Sequence, residues 1–145
     1  MDTSTVKKTP FIYAISGYKN TGKTTLLEQL TPALCKKGYQ VAVVKHDGHD
    51  FTCDVPDTDS YRHKQAGAFG VAVFSSQRIF ITREYKNPNE QMLFQAFPDA
   101  DIILIEGLKH SIYPKYVCDY PNKIANIDEI VEQIEELYVK HLNRR

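Results

Sequence analysis

The segment 17–25 constrains the fold of this chain more than any other stretch of the sequence. It reads Gly-Tyr-Lys-Asn-Thr-Gly-Lys-Thr-Thr, with four residues between two glycines and then a lysine and a hydroxyl residue, which is the P-loop pattern. The apolar run 11–15 precedes it and is typical of a buried strand, while leucines at positions 26, 27, 30 and 34 follow it at helical spacing. The sequence therefore predicts a strand, a phosphate-binding loop and a helix, in that order.

The residue types in this motif fit a nucleotide with several phosphates. Gly17 and Gly22 allow turn conformations that bring backbone N–H groups close to phosphate oxygens. Lys23 lies at the predicted helix start, where its ammonium can reach the β- and γ-phosphates and the helix N-terminus adds positive charge. The Thr24 hydroxyl is placed to coordinate Mg²⁺, with Thr25 as a further donor. We predict nucleotide binding by Gly17, Asn20, Thr21, Gly22, Lys23, Thr24 and Thr25, with Mg²⁺ as cofactor.

A second chemical landmark follows another predicted strand. The apolar run 102–105 ends at Glu106 and Gly107. The carboxyl ends of parallel strands meet at one edge of a sheet, so Glu106 is expected beside the P-loop. A P-loop NTPase needs an acid at this place to organise Mg²⁺, and Gly107 would let the chain turn away at once.

The polar segment 46–59 leaves a predicted strand at 40–45 and permits three interpretations. In the first it is a switch loop in which Asp47, Asp50 or Asp54 helps to hold Mg²⁺ or to position water. In the second it is a solvated Asp-rich loop. In the third, His46, His49 and Cys53 ligate a transition metal, although their spacing fits no standard structural zinc pattern. We favour the switch loop and predict Asp47 as a further Mg²⁺ ligand.

The rest of the chain predicts an α/β fold of the P-loop NTPase type, in which helices flank a mainly parallel sheet. The segments 70–75 and 78–82 are expected to form an antiparallel hairpin that is an insertion in this fold. The first helix should end before Gly38, and a capping box at Asn126 should open the last helix. The hairpin edge is a candidate surface for a homodimer, because unpaired strand edges invite pairing with another chain.

Size and composition place the chain among ordinary soluble proteins. It has 145 residues, 42% hydrophobic and 25% charged, and its 18 basic residues balance 18 acidic ones, so we predict no nucleic-acid or membrane partner. We expect a flexible N-terminal leader at 1–10 without a signal peptide, a single domain at 11–145, and a cytoplasmic location. The cysteines Cys35, Cys53 and Cys118 form no Cys-x-x-Cys pair, which argues against a disulfide framework.

Several segments together resemble the MobB family, the molybdopterin-guanine dinucleotide biosynthesis adaptor proteins. They are the P-loop with the two leucines after it, Lys-His-Asp-Gly-His-Asp at 45–50, Asp-Ser-Tyr-Arg at 59–62, Ala-Gly-Ala at 66–68, and Ile-Glu-Gly-Leu-Lys-His at 105–110. The resemblance implies a GTP-binding protein with weak Mg²⁺-dependent GTPase activity, which dimerises through its sheet. It also implies a partner, the nucleotidyltransferase that attaches GMP to molybdopterin. By motif match, Gly17, Gly22, Lys23 and Thr24 bind phosphate and Mg²⁺, and Glu106 is the acid of the second nucleotide motif.

The preference for guanine follows from this resemblance and not from a readable base pocket. The segment 122–125 begins like the guanine-reading Asn-Lys-x-Asp motif, but Ala125 stands where the aspartate should accept from the base. No catalytic residue is assigned, although Arg62 could supply positive charge to a transferring phosphate.

Three other classes stay open at this point. A P-loop small-molecule kinase would usually carry a lid with arginines, whereas Arg62, Arg78 and Arg83 are spread out. A metallochaperone-type GTPase is suggested by His46, His49, Cys53 and His110. A non-catalytic dimeric scaffold that only senses nucleotide is the third.

Overall fold

The computed structural model describes residues 8–48, 51 and 54–144 and confirms the predicted α/β fold, a mainly parallel sheet flanked by helices with an antiparallel pair of strands. The described residues form two compact units, one within Met1–Asp47 and Glu90–Arg145 and the other within Gly48–Asn89. The assignment of 11–145 to a single domain stays a prediction.

The secondary structure elements follow one another in a simple order. They are β1 (Phe11–Gly17), α1 (Lys23–Lys36), β2 (Val41–Lys45), α2 (Asp59–Gln65), β3 (Gly70–Phe74), β4 (Ile79–Arg83), α3 (Glu90–Phe94), β5 (Ile102–Glu106), β6 (Lys115–Cys118) and α4 (Ile127–Leu142).

A parallel sheet in the order β2-β5-β1-β6 forms the centre of the first unit. All of β5 is buried, as its unbroken apolar sequence predicts for a strand covered on both faces. The register pairs Ile15 of β1 with Glu106 of β5 and pairs Glu106 in turn with Lys45 of β2. Gly17 of β1 lies opposite Cys118 of β6. The carboxyl ends of these strands therefore meet at one edge of the sheet, where the P-loop begins.

The helices α1 and α4 supply most of the apolar side chains that cover the core of this sheet. The predicted leucine stripe of α1 is buried, and α4 contributes buried aliphatic residues from its own apolar face. The buried helical residues of this core are Leu26, Leu27, Leu30, Leu34, Ile130, Val131 and Ile134. Both predicted helix ends are confirmed. Gly38 has a φ of 98° just past α1, and the Asn126 side chain accepts the Glu129 N–H at 3.2 Å.

Asp101 organises the end of the sheet that lies away from the P-loop. Its carboxylate accepts the Gln40 N–H at 2.6 Å and the Tyr138 hydroxyl at 3.4 Å, and it pairs with Lys8. Partial burial opposes ionisation, but the hydrogen bonds from Lys8 and Gln40 hold the pKa of this carboxyl below its usual range. Asp101 thus ties β5 to the start of β2 and to α4.

The second unit contains α2 and the predicted hairpin of β3 and β4. The strands pair antiparallel, and the Ser75 N–H donates to the Arg78 carbonyl at 2.9 Å across the turn. Thr58 caps α2 by accepting the Tyr61 N–H. None of the helices among the described residues has the length and apolar character needed to cross a bilayer.

Replacing Leu30 with alanine should destabilise the first unit strongly. Leu30 is fully buried between α1 and the sheet, so Leu30→Ala should lower the free energy of unfolding by about 2–5 kcal/mol through lost burial and a residual cavity. Gln29 is its exposed neighbour on the same helix, and Gln29→Ala should stay within about 0.5 kcal/mol of the parent. Urea denaturation of the three proteins would measure both differences. Equal stabilities for the two variants would contradict this account of the core.

Candidate nucleotide-binding site

The P-loop connects the carboxyl end of β1 to the start of α1, as the sequence predicts. β1 ends at Gly17 and α1 begins at Lys23, so the seven predicted nucleotide-binding residues lie at the end of the strand, in the short loop and in the first turn of the helix. Asn20 and Gly22 both have a left-handed backbone, with φ of 62° and 88°. The loop therefore curls back on itself before the helix starts, which is the form of a backbone cradle for an anion.

Gly17 is a position where only glycine fits. Its φ is 144°, and a Cβ placed on it would lie 2.7 Å from the Cys118 carbonyl oxygen and 2.7 Å from the Thr21 hydroxyl oxygen. Because Gly17 has no side chain, Cys118 of β6 and Thr21 of the P-loop can both pack directly against its Cα. Ser16, just before it, is fully buried.

The N-terminus of α1 favours a negative charge. Gly22 is the N-cap and has no side chain that could cap the helix, and the first turn holds no acidic residue. The first intrahelical hydrogen bond runs from the Leu26 N–H to the Gly22 carbonyl at 2.9 Å. The N–H groups of the preceding helical residues lack intrahelical partners, and the aligned peptide dipoles give this end partial positive charge. The arrangement fits a phosphate group.

Lys23 spans the loop from the helix side. Its ammonium donates to the Gly17 carbonyl at 2.8 Å and to the Tyr18 carbonyl at 3.3 Å. The Thr21 hydroxyl donates to the same Tyr18 carbonyl at 2.7 Å. These bonds hold a full positive charge over the cradle, next to the helix N-terminus.

Thr24 and Glu106 come together although 82 positions separate them in the sequence. The Thr24 hydroxyl donates to Glu106 Oε1 at 2.5 Å, and Glu106 is 8% exposed whereas Thr24 is exposed. A hydroxyl and a carboxylate beside a phosphate cradle are the oxygen ligands that Mg²⁺ prefers, so the residues present fit this ion. The structure places the acid of β5 where the sequence predicts it.

The structure describes some of the residues predicted for the switch loop, among them Asp47 and Asp54. Asp47 lies two residues beyond Lys45, the β2 residue paired with Glu106, and its role as an Mg²⁺ ligand stays a prediction. Asp54 belongs to the second unit, where its carboxylate accepts the Val55 N–H at 2.8 Å and the Ser60 hydroxyl at 3.0 Å. It therefore secures the start of α2. Asp50, His49 and Cys53 lie outside the described residues.

The proposed transition-metal site rests on residues that the structure describes only in part. Within 8–48, 51 and 54–144, no group of three or more His, Cys, Asp or Glu side chains is arranged to hold a metal ion. His49 and Cys53, two of the four residues that suggested a metallochaperone, lie outside these ranges. The metallochaperone hypothesis therefore stays a prediction.

The chain turns sharply after Glu106. Gly107 and Leu108 both have positive φ, 113° and 54°. A Cβ on Gly107 would lie 3.3 Å from the His46 carbonyl oxygen, so glycine lets this turn pass close to the end of β2. The turn brings the Lys109 ammonium to 3.1 Å from the centre of the Tyr18 ring. The sequence analysis assigns no role to Lys109, which lies three residues after Glu106.

β6 and the segment that follows it lie next to the P-loop. A Cβ on Gly22 would lie 3.7 Å from Tyr120 Cβ, and the Lys123 ammonium lies 4.4 Å from the centre of the Tyr116 ring. Burial raises the pKa of the Cys118 thiol, while the charges of Lys23 and Lys123 oppose this rise. Both lysines are therefore close enough to Cys118 to act on it electrostatically.

The partial base-reading motif lies in this same segment. The Asn122 amide donates to the Asp119 carboxylate at 3.4 Å, and the Lys123 N–H donates to the Asp119 carbonyl at 3.0 Å. The start of the Asn-Lys-Ile-Ala sequence thus closes its own turn next to β6.

Comparison with known proteins identifies one family model that matches most of the chain. Residues 12–132 match the family model MobB, described as molybdopterin guanine dinucleotide synthesis protein B. A protein of Escherichia coli named molybdopterin-guanine dinucleotide biosynthesis adapter protein is 39% identical over 73% of this chain and 63% of its own length. A Haemophilus influenzae protein of the same name is 33% identical over 92% of this chain and 78% of its own length. The chain thus spans less than two thirds of the E. coli relative.

A solved structure shows the same architecture. The crystal structure of Bacillus subtilis MobB superposes with a TM-score of 0.64 at 28% sequence identity, over 75% of this chain and 68% of that chain. The family match covers the P-loop, the Glu106 turn and β6, which are the parts that build the site. The chain belongs to the MobB family.

Proposed function

We propose that this chain is a GTP-binding adapter in the biosynthesis of molybdopterin-guanine dinucleotide, with Mg²⁺ as cofactor and slow GTP hydrolysis. The observation that carries the nucleotide part is the hydrogen bond between Thr24 and Glu106 beside the P-loop. The pathway comes from the relatives, which are named molybdopterin-guanine dinucleotide biosynthesis adapter proteins.

The binding chemistry follows from the residues at the edge of the sheet. The backbone N–H groups at the start of α1 would donate to phosphate oxygens, and Lys23 would exchange a loop carbonyl for a phosphate oxygen. Thr24 and Glu106 would hold the Mg²⁺ ion, which supplies charge neutralisation at the phosphates when bound. Each of these groups acts on phosphate, so this site by itself favours nucleotides with several phosphates over one particular base.

Slow hydrolysis is proposed because the site offers binding groups and no assigned catalytic residue. Fast phosphoryl transfer to water needs a side chain that positions the water and an additional positive charge on the phosphate. Arg62, the candidate for that charge, lies in α2 of the second unit, and its role stays a prediction.

The hairpin of the second unit supports a homodimer. Alternate residues of β3 and β4 point to the same face of this hairpin. Three apolar residues of that face are strongly exposed: Phe74 at 82%, Ile79 at 71% and Ile81 at 67%. Contiguous exposed apolar side chains on a two-stranded sheet with free edges favour association with another chain. We propose a second copy of this chain as that partner, and the nucleotidyltransferase of the pathway as the partner of the dimer.

Lys23→Ala should remove most of the affinity for GTP. Losing a charged hydrogen-bond donor to two phosphates should weaken binding by roughly 100-fold. Calorimetric titration with GTP, GDP and ATP, each with Mg²⁺, would measure this effect, with Lys36→Ala at the other end of α1 as a matched control. Unchanged affinity in Lys23→Ala would refute the phosphate site. A preference of the parent protein for ATP would instead favour a kinase.

Glu106→Gln should reduce the contribution of Mg²⁺ to GTP binding. Glutamine keeps an acceptor for the Thr24 hydroxyl and the side-chain volume but loses the negative charge, so the gain in GTP affinity on adding Mg²⁺ should fall about tenfold. Titrations with Mg²⁺ and with EDTA would show the change, and the exposed Glu132→Gln should behave as the parent. If Glu106→Gln retained the full response to Mg²⁺, Glu106 would not be a ligand.

Ile81→Glu should dissociate the proposed dimer. A charge in the middle of an apolar contact must be desolvated without a partner, which disfavours association. Light scattering coupled to size-exclusion chromatography would give the mass of each protein, with Val139→Glu on the exposed side of α4 as the control. A parent protein of monomer mass, or an Ile81→Glu protein of dimer mass, would overturn this assignment of the interface.

A further inference from the structure

Two lysines from different elements converge on one residue of the P-loop. The Lys23 ammonium donates to the Tyr18 carbonyl at 3.3 Å, and the Lys109 ammonium lies 3.1 Å from the centre of the Tyr18 ring. The first lysine belongs to the P-loop pattern. The second comes from the turn after β5, lies outside the P-loop pattern and has no role in the nucleotide binding proposed above.

The backbone holds Lys109 firmly in this position. The Gly107 N–H donates to the Ile15 carbonyl at 2.9 Å, and Gly107, with a φ of 113°, packs closely against His46. On the other side, the Lys115 ammonium donates to the Lys109 carbonyl at 3.2 Å. The main chain of Lys109 is thus anchored between β1 and β6, and its side chain extends toward the P-loop.

The contact that receives the Lys109 ammonium is a weak one. Tyr18 is 73% exposed, and a cation over an exposed aromatic ring gains little because water competes for the charge. A hydrogen bond from an ammonium to a phosphate oxygen is charged on both sides and is considerably stronger. A phosphate in the cradle beside Tyr18 would therefore take the ammonium from the ring at small cost.

We propose that Lys109 is a second phosphate-binding residue of this site, which contacts the terminal phosphate of a bound nucleoside triphosphate. The Tyr18 ring positions its ammonium at the mouth of the P-loop. This inference rests on the proposed nucleotide binding and deepens it, because a cation on the terminal phosphate makes the site discriminate triphosphates from diphosphates.

The test compares the affinities for GTP and GDP, each with Mg²⁺, in matched variants. Lys109→Gln should weaken GTP binding about tenfold and GDP binding less than about threefold, because GDP lacks the terminal phosphate. Lys109→Arg keeps the charge and should retain most of the preference for GTP. Lys36→Gln removes a positive charge far from the site and should match the parent protein.

Tyr18→Leu separates phosphate binding from a purely structural cation–π pair. If Lys109 served only to hold the loop through the ring, Tyr18→Leu and Lys109→Gln would weaken GTP and GDP equally, and that result would overturn the proposal. If Lys109 contacts phosphate, Tyr18→Leu should keep the ratio of GTP to GDP affinity within about threefold of the parent value, since the weak ring contact is lost but the cation remains.

The rate at which a reagent acylates the Lys109 amine can be measured on the unaltered protein, so this test does not depend on whether a variant folds. GTP with Mg²⁺ should slow the acylation of the Lys109 amine, measured by mass spectrometry, more than GDP does, whereas Lys36 should react equally in both. Equal reaction of Lys109 with both nucleotides, or an unchanged preference for GTP in Lys109→Gln, would overturn this inference and leave the proposed function standing. A parent protein that binds neither nucleotide would overturn both.

Discussion

The parallel pairing of β1 between β5 and β6 is the constraint on which the site depends. It brings Gly17, Glu106 and Cys118 to one edge of the sheet from three distant parts of the chain. The buried aliphatic residues of β1 and β5 lie in the core, and two hydrogen bonds hold the ends of this pairing: the Phe11 N–H donates to the Asp101 carbonyl and the Gly107 N–H donates to the Ile15 carbonyl, both at 2.9 Å. The hydrogen bond between Thr24 and Glu106 is thus a consequence of how the core packs.

The distribution of charge matters more for this protein than its total. The chain has equal numbers of acidic and basic residues, so its net charge attracts no anion over long distances. Around the P-loop, however, Lys23 lies at the start of α1, Lys109 lies over the Tyr18 ring, and Lys123 lies over the Tyr116 ring of β6. Two of these ammonium groups contact tyrosine rings. Local placement of a few charges therefore favours the proposed binding of phosphate on a chain that is neutral overall.

The two units of the chain divide the proposed activities between them. The first unit carries the phosphate cradle and the pair of groups suited to Mg²⁺. The second unit carries an apolar hairpin face that few internal contacts cover, together with α2, whose start Asp54 and Thr58 secure. The proposed nucleotide binding and the proposed association with a second copy thus depend on different parts of the sequence, so substitutions can test them separately.

Local patterns in the sequence determined the P-loop, the strand and helix on either side of it, the hairpin and the acid at the end of β5. These features depend on neighbouring residues, because glycine freedom, apolar periodicity and turn chemistry act over short distances. Only the tertiary structure decided which distant groups meet. The positive φ values of Gly107 and Leu108 aim Lys109 at Tyr18, and the packing of β6 against β1 brings Tyr120 to Gly22. No local pattern encodes such contacts, since they arise when the whole core closes.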